Sequence, residues 1–233
     1  EIPDPVGWEG ELDTKPPPQR QSIAGSEGRA SPAAIWWSRA TPDRIRRMRR
    51  HYFANITLID DWVGRIVEAI EKTGELDNTL FVFTSDHGLV YKFSSHYDAV
   101  ARVPLIFAGP GVSSIGERDQ LVELIDLGPT LLDLAGLGPL DGASGISIRP
   151  LLEGEDTELH ETVFSEHGPR IMARTRKWKL IFYPGEPYGE LYNLTNDPDE
   201  LHNLYDSPEC ELARSSMVER MLHWMATTQQ ESL

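Results

Sequence analysis

The sequence predicts an α/β fold: a mostly parallel sheet with helices on both faces, followed by a small α+β subdomain with an antiparallel sheet. Three observations predict it. Apolar residues recur every three or four positions from Ile45 to Ile70. Two continuous apolar runs follow, Leu80 to Thr84 and Val103 to Ala108. Beyond about residue 156 the pattern changes to short strand candidates separated by turn residues. Continuous apolar runs beside a long helix point to a parallel sheet buried on both faces.

Residues 1–40 are rich in Pro, Gly and Ser and read as extended loop. The opening residues carry neither a basic stretch nor an apolar core, so no signal peptide is expected. They look like irregular loop rather than the start of a domain. A long helix comes next. Thr41 suits its N-cap and Pro42 its first position, while Ile45, Met48, Tyr52, Ile56, Ile59, Val63, Ile66 and Ile70 line one side and Gly74 ends it. Asp126 is placed to cap a further helix over LGPTLLDLAGL, stopped by Gly136.

The stretches ETVFSEH, RIMARTR, WKLIFYPG and GELYNL read as antiparallel strands. A last amphipathic helix is expected from Ser207 to Thr227, with Leu212, Met217, Met221 and Trp224 on one side. The division is therefore 1–156 for the α/β portion and 157–233 for the small subdomain.

Composition narrows the function. The formal net charge is −15, which leaves no general positive field for nucleic acid. No apolar run approaches the roughly 20 residues that span a bilayer, so no membrane partner is expected. The single cysteine, Cys210, rules out an intrachain disulfide framework. An anionic substrate would need a site built locally, from a metal or a few cations.

The stretch TSDHGLVYK, Thr84 to Lys92, offers such a site. Asp86 and His87 stand at a strand exit, where ligands collect in open α/β sheets. A carboxylate suits Ca²⁺ or Mg²⁺, and added imidazole nitrogen admits Mn²⁺ or Zn²⁺. Gly88 lets backbone pass close by. Lys92 can hold one oxygen of a sulfate or phosphate. Read alone, Asp-His-Gly points to a turn-capping Asp beside a half-exposed His rather than to a metal site.

The wider pattern adds more. GELDNTLFVFTSDHG, YDAVARVPLIFAGPGV, LVELIDLGPTLLDLAGL and GELYNLTNDPDELHNL, in that order, resemble the type I sulfatases of the alkaline phosphatase superfamily. The resemblance covers about residues 50 to 225. It implies an alkaline phosphatase-like sandwich, of which this chain is the distal part. It implies one divalent cation, Ca²⁺ ahead of Mn²⁺, Mg²⁺ or Zn²⁺, with Asp86 and His87 as two of its ligands. Lys92 matches the lysine that contacts the substrate's sulfate and His96 falls near the active-site rim, and both are taken as candidate catalytic residues.

The intact protein would then cleave a small-molecule or glycan sulfate ester. A phosphonate monoester or phosphodiester hydrolase of the same superfamily is the alternative, and a non-catalytic binding module is a third reading. The family's nucleophile is a formylglycine made from Cys or Ser in an N-terminal motif that also brings an Asp-Asp metal pair near it. Neither is expected in this chain, which alone should be inactive. Cys210 to Arg214 imitates the motif's spacing but has Leu212 where Pro or Ala belongs. Asp60-Asp61 imitates the metal pair but lies inside the long helix pattern. Relatives also carry a longer loop between Asp-His-Gly and the lysine, whereas here Gly88 runs directly into Leu89-Val90-Tyr91-Lys92.

The remaining features are read as structural. RIRRMRR, Arg44 to Arg50, is expected to be a solvated helix face. His51, His160, His167, His202 and His223 show no partner spacing. Asn55 and Asn193 begin glycosylation sequons by pattern.

Overall fold

The computed structural model describes residues 11–24, 41–88, 95–114, 116–139 and 142–230. Within the stretch read as extended loop, Glu11–Thr14 forms a 3-10 turn and Pro17–Ala24 a helix, α1. The three prolines from Pro16 to Pro18 sit at the start of that helix, where a missing N–H costs nothing.

The long helix α2 runs Pro42–Thr73. Its ends follow the expected chemistry. Thr41 Oγ1 accepts from the Arg44 N–H, and Gly74 adopts φ 77°, so its N–H can return to the last carbonyls. Its apolar stripe, however, is largely exposed among the described residues. No residue of α2 is buried, and Tyr52, Ile56, Ile59, Trp62 and Ile66 are all exposed. Asp60 and Asp61 are exposed on the same helix.

Strands β1, Phe81–Thr84, and β2, Leu105–Ala108, pair antiparallel, with Phe81 opposite Ala108 and Thr84 opposite Leu105. The sequence reading expected a parallel pair here. Apolar runs do not encode direction, and among its described residues the 85–104 connection holds a one-turn helix, α3 (Asp98–Ala101). Phe83 and Ile106, which face each other in the register, are exposed.

Helix α4 spans Leu127–Leu134 and α5 spans Arg149–Glu153. Asp126 does not cap α4 through its side chain. It is fully buried, closing a reciprocal capping box with Glu123 and accepting the Ile146 N–H at 3.0 Å.

The C-terminal sheet matches the expectation closely. Strands β3 (Val163–His167), β4 (Arg170–Arg174), β5 (Trp178–Phe182) and β6 (Gly189–Asn193) form an antiparallel meander in sequence order. The final helix α6 covers Glu211–Gln230. Side chains alternate between two covered faces. Ile171, Ala173, Leu180 and Leu191 pack against Met217 and Met221 of α6, and Phe164 stacks on Trp224 at 4.7 Å. Leu212, expected on that side, is 87% exposed, because the helix turns it away.

The opposite face is mixed. It holds Met172, Ile181, Tyr183 and Tyr192, and also the fully buried Lys179 and Glu190. Polar groups at such depth require partners, and these come from Tyr183 and Tyr192 and, from outside the sheet, from Lys15, Gln19 and the segment leading into α3.

Leu180 is fully buried between the sheet and α6. Leu180→Ala should lower unfolding free energy by about 2–5 kcal/mol in denaturant titration. Leu212→Ala, at an exposed position, should stay within about 0.5 kcal/mol of the parent.

Candidate metal centre

The site begins where the β ladder ends. Thr84 makes the last pair with Leu105, so Asp86 and His87 lie on unpaired backbone just beyond it. Local bonds shape this turn. The Ser85 hydroxyl donates to the His87 carbonyl at 2.9 Å, and the His87 N–H donates to Asp86 Oδ1 at 3.0 Å.

The imidazole is oriented in a telling way. His87 Nδ1 lies 2.7 Å from the Gly88 carbonyl oxygen. A carbonyl can only accept, so Nδ1 carries a proton, and in the neutral ring Nε2 keeps its lone pair. Nε2 in turn lies 3.6 Å from Asp86 Oδ2. This is the tautomer in which a histidine ligates a metal, with the second nitrogen anchored to backbone. The Asp86 side chain is 75% exposed and that of His87 22%. The carboxylate is thus open to a ligand while the ring is fixed.

Gly88 is held too. Its N–H donates to Val100 O at 2.8 Å, and a Cβ there would sit 2.1 Å from Ala99 O. Only glycine allows α3 to approach this closely.

The donor set fits a divalent cation in part. Two adjacent side chains of ligand type are present, but among the described residues no group of three or more His, Cys, Asp or Glu side chains converges. Lys92 lies outside the described residues. His96 is described, and it is only 2% exposed, packed beneath the C-terminal sheet. Burial, with the nearby His167, Arg170 and Lys179 charges adding to it, pushes its imidazole down to about 4. No hydrogen bond or ion pair joins it to Asp86 or His87 among the described residues.

Cys210 is half-buried in the turn before α6 and packs against that helix's core cluster. Arg46 pairs with Asp43 on the exposed flank of α2.

Two clusters escaped sequence reasoning. Glu190 accepts the Tyr97 and Tyr183 hydroxyls at 2.5 Å each, and that of Tyr192 as well. Burial raises all three phenols well above their usual range, with the Glu190 charge adding to it. The second cluster joins Asp98, Arg174, Lys179 and Glu200. The sequence signals for these clusters were two motif-like stretches, YDAVARVPLIFAGPGV, which contains Tyr97 and Asp98, and GELYNLTNDPDELHNL, which contains Glu190 and Glu200.

Profiles of two families cover this chain. The sulfatase profile matches residues 10–137, and that of the N-sulphoglucosamine sulphohydrolase C-terminal region matches residues 85–227. The chain belongs to the sulfatase family. Its curated relatives include a choline-sulfatase of Rhizobium meliloti, 34% identical over 202 residues, covering 79% of this chain and 39% of that protein. The solved structure of a 2-O GAG sulfatase superposes with a TM-score of 0.78 at 27% identity, covering 100% of this chain and 55% of that one. A phosphonate monoester hydrolase of Agrobacterium radiobacter gives a TM-score of 0.74 at 26% identity, covering 82% and 44% respectively. This sulfatase chain has the α/β, alkaline phosphatase-like fold of those structures, and it spans about half their length or less.

His160 also has a partner. Its Nε2 lies 3.0 Å from the buried Asp126 Oδ2. That hydrogen bond raises His160 above its ordinary 6.5 despite burial. Burial opposes ionisation of Asp126, but the hydrogen bonds from His160, Ile146 and Glu123 outweigh it and hold the carboxyl below its usual range. The stabilisation from His160 is therefore complete below pH 6.5 and fades as pH rises through its raised value. The contribution of Asp126 is present above pH 3.8 and fades as pH falls through its lowered one. NMR titration should show the His160 ring titrating above its ordinary value and the His96 ring staying neutral from about pH 5.5 to 8. His160→Gln should flatten the alkaline fall in thermal midpoint.

Proposed function

We propose that the full-length protein is a metal-dependent hydrolase that cleaves a small-molecule or glycan sulfate ester. The observation that carries this reading is the Asp86–His87 pair. It presents a fixed Nε2 lone pair 3.6 Å from an open carboxylate oxygen, inside the stretch matched by the sulfatase profile.

Asp86 and His87 would hold one divalent cation, Ca²⁺ ahead of Mn²⁺, Mg²⁺ or Zn²⁺. Such a cation, when bound, polarises a sulfate oxygen and supplies positive charge to the reacting centre. Asp86 would offer the carboxylate oxygen, and His87 the nitrogen whose direction the Gly88 carbonyl fixes. Lys92 would place an ammonium against charge gathering on the sulfate oxygens. His96, neutral and buried, would support the backbone at the rim rather than move a proton.

A formylglycine nucleophile and further carboxylate ligands would come from residues upstream of these. The uncovered apolar faces of α2 and of the β1–β2 ribbon support such a completion, since large exposed apolar faces mark interaction surfaces. Residues 1–156 would then form the C-terminal portion of the catalytic domain and 157–233 a subdomain built on the four-stranded sheet. The names of the choline-sulfatase and the 2-O GAG sulfatase favour alcohol and glycan sulfates as the substrate class. The likeness to the phosphonate monoester hydrolase favours the second reading, a phosphonate or phosphodiester substrate at the same site.

In the full-length protein, Asp86→Ala should empty the cation site by metal-content mass spectrometry and abolish turnover of an aryl sulfate. Lys92→Ala should retain the metal and lower turnover by about 10²–10³-fold. The 233-residue chain alone should turn over nothing. Wild-type activity in Asp86→Ala would overturn the metal assignment. Preference for an aryl phosphonate would select the second reading, and absence of both metal and turnover would select a binding module.

A further inference from the structure

Four charged side chains meet against α3, and none belongs to the Asp86–His87 pair. Lys179, on β5, is fully buried. Its ammonium contacts Asp98 Oδ1 and lies 2.6 Å from Glu200 Oε1 and 3.0 Å from the His96 carbonyl. The other oxygen of Asp98 takes Arg174 Nη2 at 3.0 Å. Glu200 Oε2 accepts the Asp98 N–H at 2.6 Å, capping the first turn of α3.

Glu200 reaches that position at a conformational cost. Its φ is +57°, left-handed for a non-glycine residue. Asp197 holds the turn by accepting the Leu201 and His202 N–H groups at 2.9 and 2.8 Å. Two cations face two anions, so the cluster is balanced. A balanced buried cluster is still no better for stability than apolar packing of equal volume. Its distinctive product is direction: it fixes where Asp98 sits, and thus where α3 begins.

The far end of α3 touches the candidate metal centre. Val100 O receives the Gly88 N–H at 2.8 Å, and the backbone at Ala99 leaves no space for a Cβ on Gly88. Gly88 follows His87 directly, and its carbonyl fixes the His87 tautomer. One helical turn therefore joins the buried cluster to the ligand pair.

We propose that Lys179, with Arg174 and Glu200, forms a positioning cluster for the Asp86–His87 cation site, acting through Asp98 and the Gly88–Val100 contact. The C-terminal sheet is then part of the metal centre's support. This rests on Asp86 and His87 being cation ligands. Groups that orient metal ligands from behind typically change affinity by about 10–100-fold when removed.

The test uses the full-length protein, Ca²⁺ alone as the probe, and two readouts: Ca²⁺ affinity by calorimetry and hydrogen exchange at the Gly88 amide. Lys179→Met should weaken Ca²⁺ about 10–100-fold and speed Gly88 exchange at least about tenfold. Glu200→Gln keeps the side chain's shape and should shift both in the same direction by less. Tyr183→Phe breaks a Glu190 bond in the same sheet without touching Asp98. It should lower the thermal midpoint yet leave Ca²⁺ affinity within about twofold, which separates positioning from general loosening of the sheet. A folded Lys179→Met with parental affinity and Gly88 protection would overturn the proposal. Should Lys179→Met not fold, Glu200→Gln decides on the same two readouts. If the parent protein binds no Ca²⁺, the calcium assignment fails, and Gly88 exchange still decides whether the cluster holds the turn.

Discussion

The fully buried ammonium of Lys179 is the constraint around which the C-terminal sheet is organised. A lysine carried out of water must find opposite charge and hydrogen-bond acceptors, or lose its proton. Here it finds Asp98, Glu200 and the His96 carbonyl. Those partners lie on two different segments, one before the sheet and one after it. Burying Lys179 therefore requires both segments to dock on the same face. Glu190 repeats the logic one strand away, drawing Tyr97 from the first segment and Gln19 from the N-terminal stretch. The apolar face of the sheet, packed on α6, could form with any helix of suitable pattern. The polar face accepts one arrangement.

The two parts of the chain consequently differ in what holds them. In the C-terminal sheet, both faces are covered and Ala173, Leu180 and Leu191 have no exposed surface. In α2 the hydrogen-bonded ends are well formed, yet the apolar stripe is largely exposed. Capping and propensity set helix limits, but they supply little of the stability that tertiary packing gives. The hydrophobic driving force of α2 is written into its sequence and is not realised among the described residues. The exposed Phe83–Ile106 pair on the β1–β2 ribbon shows the same imbalance.

Much of the fold was legible because its signals are local. Thr41, Pro42 and Gly74 mark the limits of α2 through single hydrogen bonds and backbone angles. The alternation in RIMAR and WKLIF marks β4 and β5. Strand direction was not legible, since the apolar runs around Val82 and Phe107 satisfy either pairing. The role of Asp126 was misread for a similar reason. An acid before a helix suggests a cap, and only tertiary structure brings it to Ile146 and His160. At the candidate site, the ligand types of Asp86 and His87 were visible. The Nδ1 anchor, the burial of His96 and the Lys179 cluster were not. Each depends on contacts that span from one residue to more than a hundred, and charged residues such as Lys179 and Glu200 look like surface residues in sequence.

The position of the candidate pair explains why such distant contacts would matter to a cation bound there. Asp86 and His87 lie past the last ladder pair, Thr84 with Leu105, so the strand does not hold them. The bonds of His87 to the Ser85 hydroxyl, the Asp86 carboxylate and the Gly88 carbonyl stay within the turn itself. They fix the pair's internal geometry, including which imbalance of proton and lone pair the imidazole presents. They cannot fix where the turn sits relative to anything else. Of the hydrogen bonds at this turn, the one from the Gly88 N–H to Val100 O reaches beyond it. A metal centre needs its ligands placed to within about 0.5 Å of a common point. For a cation held by Asp86 and His87, the local bonds would meet the first half of that demand by choosing the donor atoms, and the contact with α3 would meet the second half by tying the turn to the sheet behind it.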